Sequence, residues 1–481
     1  MFPPIRTRHL LILVAVGFVA VHLVFFPSYF ASIDEHEYLK NAFLLQGGTL
    51  TEPAQTASCE GKFTGDGYVS QYFIGRSAFL VPFTWAGFEG VMLSGLVIHL
   101  LNFALIVLIL RKWGVSPLYA LLYLLFPAML WEARTLNSEL LALTGLLAAT
   151  FFYLGKKPWQ SALAGLFFGL AALPRYEVIL LAIPFFLVPL CMDRRKFLAM
   201  LAGFVPAALL LLGTNALFYG GILEHGYSNE LGEIFAFETG IKPFYGLTLV
   251  KFLVILAAVL PLLILSPVVA PPALRKELLL ATVIFLLFYA QNVNIADAPW
   301  LHPTAVTGQI RYLIPLIGLL LLTYPFLVRK VLGRLRLPEK PVLSIAIVAL
   351  FAAAILASSV HATFLDGRRA VFDQIYAHTT TESLLIGSSD DCNYVLNELF
   401  ADRAYLDVGT ANLAALAGPY GDVYLLDIRY GTVDYSSPRG KLVAGERQQV
   451  ADFLAQHAGE LTEVFSSSQP HHVTIYRWEA T

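Results

Sequence analysis

The chain has 481 residues and a net charge of −2, and 57% of its residues are hydrophobic while only 14% are charged. A soluble globular chain is typically about one quarter charged, so this composition indicates an integral membrane protein. The near-neutral charge balance supplies no basic face, which argues against a nucleic-acid partner. Three cysteines, Cys59, Cys191 and Cys392, have the spacing of neither a metal site nor a disulfide framework.

Apolar runs recur along the chain from residue 9 to residue 360 and then stop. A transmembrane helix needs about 20 apolar residues, and we predict about eleven spans. They lie at residues 9–27, 91–110, 115–131, 138–154, 159–173, 178–191, 197–219, 250–268, 278–292, 310–328 and 342–360. Most lysines and arginines before residue 361 fall in loops that become cytoplasmic if the N-terminus is inside. This predicts a multi-pass protein of the inner or plasma membrane.

The loop after the first span is long, covering residues 28–90, and its segment 72–88 is itself apolar enough to be a span. If that segment crossed the membrane, every later loop would lie on the opposite side, and most lysines and arginines would be outside. We therefore predict helices in this loop, with residues 72–88 lying in the outer membrane interface. A twelfth span is the alternative.

The pattern changes after residue 360. Short strand-like runs, "SLLIGSS", "RAYLDVG", "DVYLLDIRYG" and "HHVTIYRW", are separated by helix-like stretches such as "CNYVLNELFA" and "AGERQQVADFLAQHA". We predict an all-α polytopic membrane domain at residues 1–360 and a small extracytoplasmic α/β domain at residues 361–481. The second domain has no glycine-rich phosphate loop and no nucleophile elbow, so we assign it packing over the membrane domain rather than chemistry. Binding of a substrate or docking of a partner is the alternative role.

Charged and polar residues collect at those ends of the predicted spans that face outward. Charges at membrane depth are costly and are therefore functional candidates by default. Because several separate loops contribute, we expect them to line one outward-facing cavity. The residues are Asp34, Glu35 and Glu37 after the first span, Glu132, Arg134 and Glu139 before the fourth, Arg175 and Glu177 before the sixth, and Gln309, Arg311 and Tyr312 at the tenth.

Carboxylates together with arginines suit glycosyl transfer from a lipid-linked phosphate. One base removes the proton of the acceptor hydroxyl, and cations stabilise the phosphate that leaves. Phosphate leaves readily, so the acid partner of a glycosidase is dispensable. A proton-coupled transporter is the main alternative, but it would place its carboxylates near mid-span and often shows internal repeats, which we do not find here.

Five stretches, in this order, resemble the GT-C superfamily of membrane glycosyltransferases, and in particular the group of protein O-mannosyltransferases and lipid A aminoarabinose transferases. They are "DEHEYL" after the first span, "YFIGRSAFLVPF", "ARTLNSELLALTGLLAATFFYL", "SALAGLFFGLAALPRYEVILL" and "RYLIPLIGLLLL". The resemblance covers roughly residues 9–330. It implies a GT-C-type fold and a polyprenyl-phosphate sugar donor, with a lipid, glycan or protein as acceptor.

The resemblance also implies roles for individual residues. Asp34 matches the catalytic base and Glu35 is its partner in the acidic pair. Glu139 and Glu37 would help to place the acceptor or, in some branches, a divalent cation such as Mg²⁺ or Mn²⁺; no other cofactor is expected. The donor phosphate would be bound by Arg134, Arg175 and Arg311. The site would be lined by Tyr38, Tyr312 and Gln309. His36 has no counterpart in the pattern, and the donor-phosphate lysine of some relatives has only Lys62 and Lys242 as candidates.

Structural roles compete with each of these assignments. Asp34 and Glu35 stand at a helix start, where carboxylates act as caps, and Arg175 could be an interfacial anchor. Cys59 and Cys392, both predicted outside, either form a disulfide or remain free thiols. Besides a transporter, a catalytically silent binding protein of the same architecture is compatible with the sequence. The function we predict is an inverting glycosyltransferase with Asp34 as base.

Overall fold

The computed structural model of the chain describes residues 7–52, 61–63, 68–226, 244–290, 303–388, 391, 403–408, 421–429, 438–469 and 471–478. Within these ranges the membrane part is predominantly helical. Its helices are α1 (Thr7–Val24), α2 (Ile33–Gln46), α3 (Ile74–Thr84), α4 (Gly87–Lys112), α5 (Ala120–Leu124), α6 (Pro127–Glu132), α7 (Glu139–Tyr153), α8 (Pro158–Ala172), α9 (Ile179–Met192), α10 (Arg194–Tyr219), α11 (Phe244–Val259), α12 (Pro272–Tyr289), α13 (Pro303–Leu335) and α14 (Glu339–Ala377).

Every predicted span coincides with a helical segment, although the segments differ in length. Five in the described part of the chain are long and apolar enough to cross a membrane individually: α1, α4, α10, α13 from residue 310, and α14. Two predicted spans are interrupted. Residues 115–131 divide into a 3₁₀ turn at Pro117–Tyr119 followed by α5 and α6, and α11 is succeeded by a 3₁₀ helix at Leu263–Val269. Prolines lie at both interruptions, where the missing N–H prevents a continuous helix.

The first loop contains α2 and α3, which pack against each other. Helix α3 has 11 residues and is therefore about 16 Å long, well short of the roughly 30 Å hydrocarbon core. It is too short to be the twelfth span considered above. The loop also holds a small antiparallel sheet that the sequence did not indicate. Its strands are β1 (Thr51–Glu52), β2 (Gly61–Phe63) and β3 (Tyr68–Ser70), in the order β1-β3-β2.

The C-terminal part forms a five-stranded mixed sheet in the order β5-β4-β6-β8-β7. Strands β4 (Leu384–Gly387), β5 (Ala404–Asp407) and β6 (Val423–Arg429) run parallel, while β7 (Leu461–Ser467) and β8 (His472–Trp478) are antiparallel neighbours. Helix α15 (Pro438–Gln456) packs Phe453 into the core of the sheet. The four predicted strand runs each contain a strand; β7 was not predicted, and the helix-like stretch 392–401 lies outside the described residues.

Helix α14 connects the two parts of the protein. It continues past residue 360, where the sequence suggests a domain boundary, and ends at Ala377. Near its end Val371 and Ile375 join the core of the sheet, while Phe372 stacks near Tyr29 of the first loop, with ring centroids 5.3 Å apart. Helix α14 is therefore continuous from the membrane part into the core of the sheet.

Candidate functional site

Asp34 stands in the first turn of α2 and makes two side-chain contacts with distant elements. Its Oδ1 accepts a hydrogen bond from Tyr72 Oη at 3.0 Å, and its Oδ2 lies 3.2 Å from Arg311 Nη1. The side chain is 19% exposed, so it is not sealed within the core. Capping of α2 falls to Glu35 instead, whose Oε1 accepts from the N–H groups of Ala31 and Ser32 at 2.8 and 3.1 Å. Glu35, and not Asp34, therefore has the helix-capping role that the sequence left open for both residues.

Glu35 also holds the loop between α6 and α7. Its Oε2 accepts from the Leu136 N–H at 2.8 Å, while Arg76 Nε donates to the Leu136 carbonyl at 2.7 Å. Glu35 and Arg76 are both fully buried. Burial raises the pKa of Glu35 to about 7, against the lowering effect of its backbone N–H donors. One acidic and one basic side chain therefore fix both main-chain groups of a single loop residue.

That loop leads directly into α7, whose first residue is Glu139. Glu139 Oε1 lies 2.5 Å from Arg175 Nη1, and Arg175 Nη2 lies 2.5 Å from Glu177 Oε1. Tyr289 donates to the same Glu177 oxygen at 2.9 Å. Arg175 thus joins two carboxylates from different helices, a geometry that suits the planar guanidinium, and it is 12% exposed rather than extended into a lipid interface.

Arg311 brings the two acidic positions together. Besides its contact with Asp34, its Nε lies 4.0 Å from Glu139 Oε1. The ring of Tyr312 lies beneath both cations, with centroids 5.0 Å from the Arg311 guanidinium and 5.5 Å from that of Arg175. We call this group, consisting of Asp34, Glu139, Arg175, Glu177, Arg311 and Tyr312, the acid–arginine cluster. It joins three helices and one loop.

The cluster keeps unused hydrogen-bonding capacity. Glu139 Oε2 and Arg175 Nε are both buried and have no hydrogen-bond partner among the described residues. Buried polar atoms are normally paired, so a ligand or water that enters the cluster finds both an acceptor and a donor. The cluster holds two guanidiniums, which can bind a phosphate, beside three carboxylates, which can accept a proton.

The other predicted site residues lie at the edge of this cluster or apart from it. Tyr38 donates to Ser138 Oγ at 3.1 Å, immediately before Glu139. Glu37 is fully buried and pairs with Lys40 at 2.7 Å. Arg134 donates to His361 Nδ1 at 3.1 Å and so contacts α14; its predicted role on the donor phosphate stays a prediction.

Several predicted residues lie outside the part of the chain whose side chains are described. These are Gln309, Lys62, Lys242, Cys59 and Cys392, and their predicted roles and the disulfide stay predictions. His36, which the sequence pattern did not explain, is buried against the rings of Tyr29 and Phe30, at centroid distances of 5.9 and 4.5 Å. Its place in an aromatic core accounts for it.

Sequence reasoning missed Tyr72, Arg76 and Tyr289 as contributors. Arg76 carried a usable signal, because it is the only charged residue in an otherwise apolar run and charges at membrane depth are functional candidates. Tyr72 and Tyr289 carried none, since tyrosines are ordinary at membrane interfaces. In the described part of the chain, no group of three or more His, Cys, Asp or Glu side chains is arranged to hold a metal ion. A divalent cation therefore stays a prediction.

Comparison with solved structures decides the architecture. The crystal structure of ArnT from Cupriavidus metallidurans in the apo state superposes with a TM-score of 0.59 over 98% of this chain and 98% of that chain, at 14% sequence identity. ArnT is a lipid A aminoarabinose transferase of the GT-C family. The chain has the GT-C fold. The fold predicted from the five sequence stretches is therefore confirmed.

A second structure of the same protein, ArnT bound to undecaprenyl phosphate, superposes with a TM-score of 0.56 over 96% of this chain and 97% of that chain, again at 14% identity. No protein-family profile and no curated protein sequence matches the chain. The likeness is thus one of architecture across nearly the whole length, C-terminal sheet included.

Proposed function

We propose that this protein is an integral membrane glycosyltransferase that moves a sugar from a polyprenyl-phosphate donor to a lipid, glycan or protein acceptor on the extracytoplasmic side. The observation that carries the proposal is the position of Asp34, a partly exposed carboxylate whose two oxygens contact Tyr72 and Arg311. The fold shared with ArnT, which binds undecaprenyl phosphate in one of its structures, supports the class of donor.

The proposed reaction is a single displacement. Asp34 takes the proton of the acceptor hydroxyl, and the hydroxyl oxygen attacks the anomeric carbon of the donor sugar. The bond between that carbon and the phosphate oxygen breaks, and the electron pair leaves with polyprenyl phosphate. Attack from the side opposite the leaving group inverts the anomeric configuration.

Arg311 and Arg175 would stabilise the phosphate as its negative charge grows. Both are already paired with carboxylates in this structure, so neither is an unbalanced cation before the donor arrives. The contact of Arg311 with the proposed base supports a role for it on the phosphate, within reach of the acceptor oxygen. This arrangement favours transfer over simple binding, since it joins a base and a phosphate-binding cation at one point.

Glu139 would orient the acceptor through its unpaired Oε2, and Tyr38 and Tyr312 would line the same space. A divalent cation, if one takes part, would find carboxylate oxygens at Glu139 and Asp34, the ligands that Mg²⁺ and Mn²⁺ prefer. Glu35 and Arg76 contribute at a distance by holding the loop that begins α7.

The proposal is tested by incubating the purified protein with a panel of polyprenyl-phosphate sugars and membrane extract, while mass spectrometry follows the release of polyprenyl phosphate. Asp34→Asn should lower release by roughly 10²- to 10⁴-fold, the usual contribution of a general base, with donor binding retained. Asp373→Asn, which alters an exposed carboxylate paired with Arg369 in α14, is the matched control.

Two outcomes would reject the proposal. Near-normal release by Asp34→Asn would remove Asp34 as base. No release by folded wild-type protein, across a broad panel with extract present, would favour the transporter or the silent binding protein. Movement of unchanged donor across a proteoliposome membrane then distinguishes these two.

A further inference from the structure

A groove lies between α1 and α4, at the end of these helices remote from the acid–arginine cluster. Asp34 follows the C-terminal end of α1, whereas the groove lies along its N-terminal half. Its volume is about 340 Å³, within the range of ligand pockets. It is lined by Arg8, Leu11, Ile12, Ala15, Phe103, Ala104, Val107, Leu108 and Arg111.

The path of the two helices creates this space. They approach each other at Phe18 and His99, whose ring centroids are 5.1 Å apart. From that point the helices run antiparallel toward the start of α1 and the end of α4. Small side chains at Ala15 and Ala104 leave the gap between them unfilled. The result is an apolar groove that opens toward the lipid.

Two cations stand at one end of the groove. Arg8 is the second residue of α1 and Arg111 is the penultimate residue of α4. Both side chains are exposed. Neither has an ion pair with a carboxylate within the described part of the chain, in contrast to the arginines of the acid–arginine cluster.

We propose that this groove seats one anionic phospholipid from the leaflet opposite the acid–arginine cluster. An acyl chain lies along the apolar walls, and the headgroup phosphate lies between the Arg8 and Arg111 guanidiniums. Basic pockets between transmembrane helices select anionic headgroups, and guanidinium binds phosphate with paired hydrogen bonds. The charge of the groove end and its apolar walls match the two parts of such a lipid. The site is separate from the proposed donor site and does not depend on it.

Native mass spectrometry of the full chain tests the proposal. Delipidated protein in detergent is mixed with equal amounts of phosphatidylglycerol and phosphatidylethanolamine, and retained lipid is counted. We expect one phosphatidylglycerol per chain, retained in clear preference to phosphatidylethanolamine. Arg8→Gln/Arg111→Gln should weaken this retention at least tenfold.

Two further variants separate the groove from general surface charge. Ala104→Phe fills the groove with both arginines intact and should also abolish retention. Arg194→Gln/Arg195→Gln removes two exposed cations from the start of α10 and should leave retention unchanged. Equal retention of phosphatidylglycerol and phosphatidylethanolamine would overturn the proposal. Full retention of phosphatidylglycerol by Arg8→Gln/Arg111→Gln, or by Ala104→Phe, would also overturn it. So would displacement of phosphatidylglycerol by equimolar undecaprenyl phosphate, because the groove would then be a second donor site.

Discussion

Arg311 Nη1 lies 3.2 Å from Asp34 Oδ2, although Asp34 follows the first span and Arg311 belongs to α13, near the other end of the membrane part. The same guanidinium reaches toward Glu139. A cation that contacts the proposed base directly can hold a donor phosphate where the acceptor loses its proton. In the proposed reaction this one contact joins the base to the phosphate-binding cation, so variants of Asp34 and Arg311 test the proposal most directly.

Arg311→Gln is expected to lower transfer by roughly 10²- to 10³-fold, the usual cost of removing one donor that stabilises developing charge. Arg134→Gln is the informative comparison, because Arg134 was predicted from sequence to bind the same phosphate but contacts His361 in the structure. Transfer by folded Arg134→Gln should stay within about threefold of wild type. Steady-state kinetics would measure the transfer rate of both variants. An equal loss of transfer in the two would indicate that Arg134 also binds the donor phosphate.

Tyr72→Phe is expected to lower kcat by roughly 10- to 10²-fold, since a hydrogen bond to a charged group contributes about 1.5–3 kcal/mol and about 1.4 kcal/mol is a factor of ten in rate. The KM for the donor should not change, because Tyr72 orients Asp34 and does not reach the phosphate in this proposal. Tyr219→Phe is a nearby control whose hydroxyl donates to the Ser70 carbonyl instead. A rise in donor KM with kcat unchanged would assign Tyr72 to donor binding.

Glu35→Gln tests whether Glu35 positions a loop or takes part in chemistry. A glutamine has one carbonyl oxygen for the three N–H groups that Glu35 now accepts from, so we expect a loss of about 1–3 kcal/mol in stability and a lower thermal midpoint. Arg76→Lys should resemble it, because lysine cannot reproduce the guanidinium contacts with Leu136 and Ser94.

A positioning role predicts that Glu35→Gln retains most of its transfer per folded molecule, with the pH profile unchanged. A loss as deep as that of Asp34→Asn, at an unaltered thermal midpoint, would instead make Glu35 a catalytic residue. Circular dichroism melts and the transfer assay on the same preparations distinguish the two results.

The predicted sidedness is open to a direct measurement. Cys191 is exposed in the last turn of α9, at the end of the predicted span 178–191 that leads into a loop predicted to be cytoplasmic. In a Cys59→Ser/Cys392→Ser background, an impermeant maleimide should label it only after the cells are permeabilised. Thr381→Cys, just before β4, should be labelled in intact cells once Cys191 is also changed to serine. The reverse pattern would invert the topology and place the acid–arginine cluster in the cytoplasm.

The sequence by itself determined the membrane class, the positions of the helical segments and the C-terminal α/β pattern, while the membrane face of the charged residues stays a prediction. These follow from local features: apolar length, alternating patterns and the distribution of lysine and arginine. Four of the five sheet strands could be read in the same way. Strand β7 could not, because most of its residues are at least partly exposed and it lacks a clear apolar alternation.

Only the tertiary structure decided which charged residues work together. The sequence placed Arg134, Arg175 and Arg311 alike, as cations at span ends, but helix packing directs Arg175 and Arg311 toward the carboxylates and Arg134 toward His361. The sequence likewise could not distinguish the contacts of Asp34 from those of its neighbour Glu35. Successive residues of a helix point in directions about 100° apart, so one meets Tyr72 and Arg311 while the other caps the helix and holds Leu136. Side-chain direction depends on how distant helices pack, and no local pattern in the sequence encodes it.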